Sequence, residues 1–175
     1  MELNKIPHEV SYRNVKYPRV ELKTGKLLLV LPFGFDPEIV LRKHKRWICK
    51  KIEFIENCLK EAENKEIAER KEKEFREIIH SLVERISEEM GEKLNKIYFR
   101  TMRTKWASCS TKKNLTVNKL MKFLPEHLLY YIIFHEIAHL KQKRHNERFW
   151  GIIEKKFDDY KVLERELFIY WFCVA

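Results

Sequence analysis

Within Phe134-His135-Glu136-Ile137-Ala138-His139-Leu140, two histidines stand four residues apart and a glutamate directly follows the first. On an α-helix that spacing puts both imidazoles on one face, one turn above the other. Their ring nitrogens can then meet on one metal ion. Zn²⁺ is the expected ion, because it accepts neutral imidazole in tetrahedral geometry. Glu136 lies about 100° further round the helix, where its carboxylate can take a proton from metal-activated water without being a ligand. This HExxH pattern predicts hydrolysis by a zinc-activated water.

The surroundings of the motif separate it from a chance string on a charged helix. Leu128-Leu129-Tyr130-Tyr131-Ile132-Ile133-Phe134 is apolar on all sides, and Ile137, Ala138 and Leu140 continue the run. A helix apolar all round is a buried helix, and buried polar groups need partners. A metal supplies one. Two histidines leave zinc short of a third protein ligand. His145 follows His139 by six residues, a stretch that reaches at most about 20 Å and can turn back onto the metal. The spacing is that of HExxHxxGxxH, with Gln142 in place of the glycine. Glu154, on the following helix, is the rival third ligand. His8, His44, His80 and His127 read as surface or satisfied histidines.

The elements that must hold these groups follow from the pattern of the chain. Val20-Glu21-Leu22 and Lys26 to Leu31 flank Thr24-Gly25, which predicts a β-hairpin. Asp36-Pro37-Glu38 predicts a helix start, with Asp as N-cap and Pro at the first helical position. Its apolar face is expected at Val40, Trp47, Ile48, Ile52, Ile55 and Leu59, opposite Arg42, Lys43, Lys45, Arg46, Lys50 and Lys51. Residues 60–74 are charged, and Glu66–Arg70 and Glu69–Lys73 at i,i+4 predict a solvated helix there. From Phe75 an amphipathic face runs through Ile78, Ile79, Leu82, Val83, Ile86 and Met90 to a stop at Gly91. Lys96–Arg100 and Asn114–Asn118 read as strands, and Pro125 opens the motif helix at its first position. Asn146 caps the next helix, and a last one covers roughly 159–173.

The chain has 175 residues, 45% hydrophobic, which is enough for one sizeable core with a small N-terminal part. The expected organisation is a hairpin and helix over 1–60, a connecting helix over 61–92, and the catalytic core over 93–175. Cys49, Cys58, Cys109 and Cys173 form no CxxC pair and read as reduced thiols. The first residues lack an apolar h-region, and the apolar run Leu167–Ala175 is about half of a ~20-residue span. A soluble, cytoplasmic protein with no membrane contact is therefore expected. The net charge is +10, and from Lys93 to Pro125 there are nine Lys/Arg with no Asp or Glu. This segregation points to an anionic partner, DNA or a nucleotide, or to a positive solvated surface.

Trp106-Ala107-Ser108-Cys109, Leu115 to Asn118, Leu124-Pro125, HEIAHL, His145-Asn146 and Phe149-Trp150 together resemble the YgjP-like metallopeptidase domain family. That family belongs to the small zincins, akin to the SprT and WLM proteins. The resemblance is strongest from about Met102 to Phe157, and Ala107 stands where the family has glycine. It implies an α+β zincin-like fold, with helices packed on a small antiparallel β-sheet whose edge strand faces the cleft. It also implies His135, His139 and His145 as zinc ligands and Glu136 as the base.

The expected activity is zinc-dependent peptide-bond cleavage, with Glu136 taking a proton and later delivering it to the leaving amine. Arg103 and Lys105 are candidate donors to the oxyanion. Thr116 and Asn118 are candidate contacts for an extended peptide added to the strand Leu115–Asn118. Two alternatives share the zinc site. One is a nucleotide phosphohydrolase served by the basic segment, and the other is a nucleic-acid-associated protease of the SprT kind.

Overall fold

The computed structural model describes residues 8–23 and 26–174, so the expected turn at Thr24-Gly25, the segment before His8 and Ala175 lie outside the described residues. The chain divides between Lys60 and Glu61 into two compact units. The first holds strands β1 (His8–Tyr12), β2 (Arg19–Lys23) and β3 (Lys26–Leu31), followed by helix α1 (Pro37–Ala62). β2 and β3 pair antiparallel from Arg19↔Val30 to Lys23↔Lys26, which is the expected hairpin. β1 adds parallel to the other edge of β3. Leu27, Leu29 and Leu31 of β3 are buried together with Val40, Leu41 and Ile48. Asp36 starts α1 as expected, its Oδ1 accepting the Glu38 N–H at 2.9 Å.

The buried stripe of α1 is Val40, Leu41, Ile48, Ile55 and Cys58. Trp47 and Leu59, expected on that stripe, are each 43% exposed. The stripe is centred on Leu41, Ile48 and Ile55, which recur every seven residues. Trp47 falls about 100° off that line.

The second unit contains α2 (Glu72–Met90), β4 (Lys96–Arg100), β5 (Ala107–Cys109), β6 (Asn114–Asn118), a 3₁₀ turn (Lys119–Phe123), α3 (Glu126–Lys141), α4 (Glu147–Glu154) and α5 (Tyr160–Val174). The class is α+β, as expected. The sheet, however, is mixed rather than antiparallel: the order is β4-β6-β5, with β5 antiparallel and β4 parallel to β6. β5 forms a hairpin with β6 and takes one edge. The other edge falls to β4, which two reversals of the chain leave parallel. β6 is therefore the central strand, and the edge position expected for Leu115–Asn118 belongs to β5.

The continuous helix expected over 60–74 is absent, because α1 ends at Ala62 and α2 begins at Glu72. The charged residues between them are used at long range instead. Lys65 pairs with Glu166 at 2.8 Å, Arg70 donates to the Lys122 and Leu124 carbonyls, and the Ala68 N–H donates to the Phe123 carbonyl at 2.9 Å. Partners of that kind outweigh i,i+4 pairs worth a few tenths of a kcal/mol. α2 then runs to Gly91, whose φ of +63° closes the helix as expected. Its buried Phe75, Ile79, Val83, Ile86 and Met90 share one core with Leu115 and Val117 of β6 and with α3.

In α3, Leu128, Leu129, Tyr131, Ile132, Ile133, Phe134, Ile137 and Ala138 are buried, so the helix is enclosed on all sides as its composition requires. Pro125 sits just before its first residue, with extended ψ of 156°, rather than inside the helix. None of the helices among the described residues is long and apolar enough to cross a membrane.

Candidate metal centre

α3 carries His135 and His139 on one face, and the turn after it returns His145 to them. One ligand nitrogen from each of the three lies within 4.8 Å of the others. The Nε2 atoms of His135 and His145 are 3.0 Å apart. Gln142 ends α3 in extended backbone, φ −141°, so the turn does not need the left-handed glycine of the HExxHxxGxxH pattern. Asn146 then caps α4 through its side chain, accepting the Phe149 N–H at 3.1 Å.

α4 supplies the aromatic faces that fix the imidazoles. Phe149 stacks on His139 with ring centroids 4.6 Å apart, and Trp150 stacks on His145 at 5.5 Å. The Gln142 carbonyl lies 3.2 Å from His139 Nδ1, an outer partner that turns Nε2 toward the cluster. His135 packs between Tyr131 and Phe149, and its buried Nδ1 has no partner among the described residues. Burial, reinforced by the neighbouring His139 and His145, pushes the His135 pKa down to about 3. Burial and His139 lower that of His145 too, against the pull of Glu164 and Glu136. Imidazoles kept neutral in this way keep the lone pairs a metal needs, so the donor set fits a divalent ion.

Glu136 is half-buried beside them, and burial raises its pKa against the opposing effects of a hydrogen bond, Lys105 and His145. That hydrogen bond comes from the Cys109 backbone N–H to Oε2, at 2.7 Å. In the β5–β6 ladder, the Trp106 carbonyl accepts from Asn118 and the Ser110 N–H donates to Asn114. Alternation then turns the backbone groups of Ala107 and Cys109 away from β6. The free edge of β5 therefore meets α3 at the carboxylate. Ala107, in the family's glycine position, lies in β5 and is 5% exposed; the one non-glycine residue with positive φ among those described is Lys113. Burial and Glu136 push the Cys109 thiol up to about 11, so it stays protonated at neutral pH.

A cavity of about 590 Å³ opens over these groups. Trp106, Ile132, Leu140 and Leu167 supply apolar wall, and β5 forms one side. Of the other residues singled out in the sequence, Lys105 lines the cavity, whereas Arg103 is exposed and outside the lining. Thr116 lies on the central strand, away from the lining. Asn118 is fully buried and serves the fold. Its Nδ2 donates to the Met102 and Lys105 carbonyls, both at 2.8 Å, and its Oδ1 accepts from Met102 and Leu120. Glu154 is exposed at the end of α4 and outside the lining. Of the basic segment 93–125, only Lys105 and Lys113 reach the cavity, and Lys113 pairs with Glu92 at 3.1 Å.

Two lining residues escaped the sequence reading. Tyr131 was legible, since it precedes His135 by four residues and shares its face. Glu164, on α5, had no such signal.

The family described as YgjP-like, metallopeptidase domain, matches residues 59–169. Among solved structures, the metallopeptidase zymogen abylysin of Pyrococcus abyssi is 28% identical, with a TM-score of 0.46 over 52% of this chain and 90% of that one. The metallopeptidase zymogen jannalysin of Methanocaldococcus jannaschii is 35% identical, with a TM-score of 0.45 over 52% of this chain and 92% of that one. No curated protein matches. With its family match covering more than half of its length, the chain belongs to the YgjP-like metallopeptidase domain family and is a hydrolase of the protease kind.

Proposed function

We propose that His135, His139 and His145 hold one zinc ion and that Glu136 is the proton carrier for cleavage of a peptide bond. The observation that carries this reading is the convergence of three imidazole nitrogens within 4.8 Å on the helix that also bears Glu136. Zinc, when bound, supplies a Lewis acid that brings the pKa of water toward 7 and polarises a carbonyl.

The chain's own residues do the rest. The Cys109 N–H holds one oxygen of Glu136, leaving the other to take a proton from the attacking water. The same carboxylate then returns a proton to the leaving amine nitrogen. Its raised pKa suits both transfers, because a stronger base accepts more readily and the buried acid is stable until it donates. Peptide backbone adds to the free edge of β5, where Ala107 presents its unpaired groups. Lys105, the lining cation close enough to act on Glu136, places positive charge where the oxyanion develops.

Metal analysis of variants tests the assignment. His135→Ala and His139→Ala lose stoichiometric zinc, and His145→Ala loses it more readily than Glu154→Ala. Zinc at full stoichiometry in the His135 and His139 variants would overturn the reading.

A further inference from the structure

The cavity carries a carboxylate that this chemistry does not use. Glu164 stands on α5, exposed to solvent and lining the cavity. Its Oε1 accepts the Tyr131 hydroxyl at 3.1 Å. Tyr131 is only 1% exposed and lies one helical turn before His135. A hydroxyl buried to that degree needs a partner, so Glu164 is held at a fixed position relative to the histidines. It accepts no other hydrogen bond and joins no ion pair among the described residues, which leaves Oε2 available to a ligand.

The charges around the cavity are unevenly placed. Glu136 and Glu164 are the only acids among its lining residues, and Glu136 is half-buried and bonded to β5. Lys113 is paired with Glu92, Lys105 acts on Glu136, and Lys143 stands exposed on the turn after α3. Cationic side chains thus flank the reacting carboxylate, and a single accessible anion marks the α5 wall. A free carboxylate oxygen fixed in a partly apolar recess is a receptor for an alkylammonium or guanidinium group, whose methylene stem packs on the apolar wall while its charged head meets the acid.

We propose that Glu164 is a specificity-determining residue that receives a cationic group of the peptide substrate in this cavity. The inference rests on the peptidase reading above. The cation is a lysine or arginine side chain or the peptide's own amino terminus, since the same chemistry recognises each.

The test compares peptides that differ only by lysine, norleucine or glutamate at each position around the cut, N-acetylated and free, on the zinc-loaded full chain. Glu164→Gln keeps an oxygen to accept from Tyr131 and removes only the charge. Wild-type protein should favour the lysine peptide about tenfold in kcat/KM, and Glu164→Gln should abolish that ratio. Glu164→Lys should reverse it in favour of glutamate. A preference for free-amino over N-acetylated peptides whatever the side chain, lost in Glu164→Gln, assigns the cation to the terminus.

Binding of the same peptides to Glu136→Gln and to the double variant Glu136→Gln/Glu164→Gln repeats the comparison without turnover. A ratio of one in wild type for both comparisons, lysine against norleucine and free against acetylated, a ratio that survives Glu164→Gln, or an equal loss for every peptide overturns the proposal. Residual cleavage by Glu136→Gln at wild-type rate would instead overturn the catalytic assignment, so the two failures are read separately.

Discussion

β1-β3-β2 and β4-β6-β5 are drawn on one plan. In each, the strand that comes last in sequence is central, the first pairs parallel to it and the second pairs antiparallel on the opposite edge. Their central strands end at equivalent positions, Leu31 opposite Tyr12 and Asn118 opposite Arg100, and both residues are fully buried. Leu31 packs in an apolar cluster. Asn118 ties down the loop 102–105 that leads into β5. The edge of β5 in turn meets the carboxylate of Glu136. The same sheet is thus scaffold in one unit and a wall of the candidate site in the other. Among the differences that bear on this are the buried polar residue at the end of β6 and the helix that meets the edge of β5.

The largest effect expected of that difference comes from Glu136. Glu136→Gln should reduce peptide turnover about 10²–10⁴-fold with zinc content unchanged, whereas Glu21→Gln on β2, the matching edge of the first sheet, should leave turnover alone. Assays of the two variants beside metal analysis decide it, and comparable losses in both would break the contrast.

Next comes Asn118→Leu, which gives the second sheet the first sheet's residue. The Met102 and Lys105 carbonyls and the Leu120 N–H lose their partner. Denaturant unfolding should show about 1–3 kcal/mol less stability, with turnover reduced because the entry to β5 is loosened.

A smaller effect concerns pH. The His135 pKa is about 3 in the folded chain against about 6.5 unfolded. The unfolded state therefore binds the extra proton, and the stability of metal-free protein should be full above pH 6.5 and decline progressively toward pH 3. Thermal unfolding in chelator at several pH values measures this, and His135→Phe should flatten the decline. Smallest of all, Lys43→Ala with Lys45→Ala on the exposed side of α1 should shift stability by no more than about 0.5 kcal/mol. Peptide turnover should stay the same.

The parts of this architecture that were legible beforehand are those whose physics is local. The four-residue histidine spacing, the apolar run before it, Asp36 and Asn146 as caps and Gly91 as a stop each act within a few residues, and each appears where expected. What was illegible depends on partners distant in sequence. Asn118 read as a peptide contact because a strand pattern does not say which strand is central; the loop it bonds lies 13 to 16 residues earlier. Glu164 lines the cavity from α5, bonded to Tyr131, which lies 33 residues away. The stretch 63–71 read as helix because its nearest charges are complementary, while its actual partners lie beyond residue 120.

That same stretch matters to an enzyme that must live with its own activity. A charged, non-helical segment is the natural first target of a protease, and a peptidase meets copies of itself at every encounter. Under the proposed edge addition, backbone to be cut is first drawn out as an extended strand and laid along β5. Here the Ala68 N–H is already bonded to Phe123, the Glu66 carbonyl accepts from the Tyr170 hydroxyl at 3.0 Å, and Arg70 anchors the segment to the 122–124 turn. Withdrawing the strand would break all of these at once, so the tethering that replaces a helix also holds the segment back from the extended form that edge addition needs.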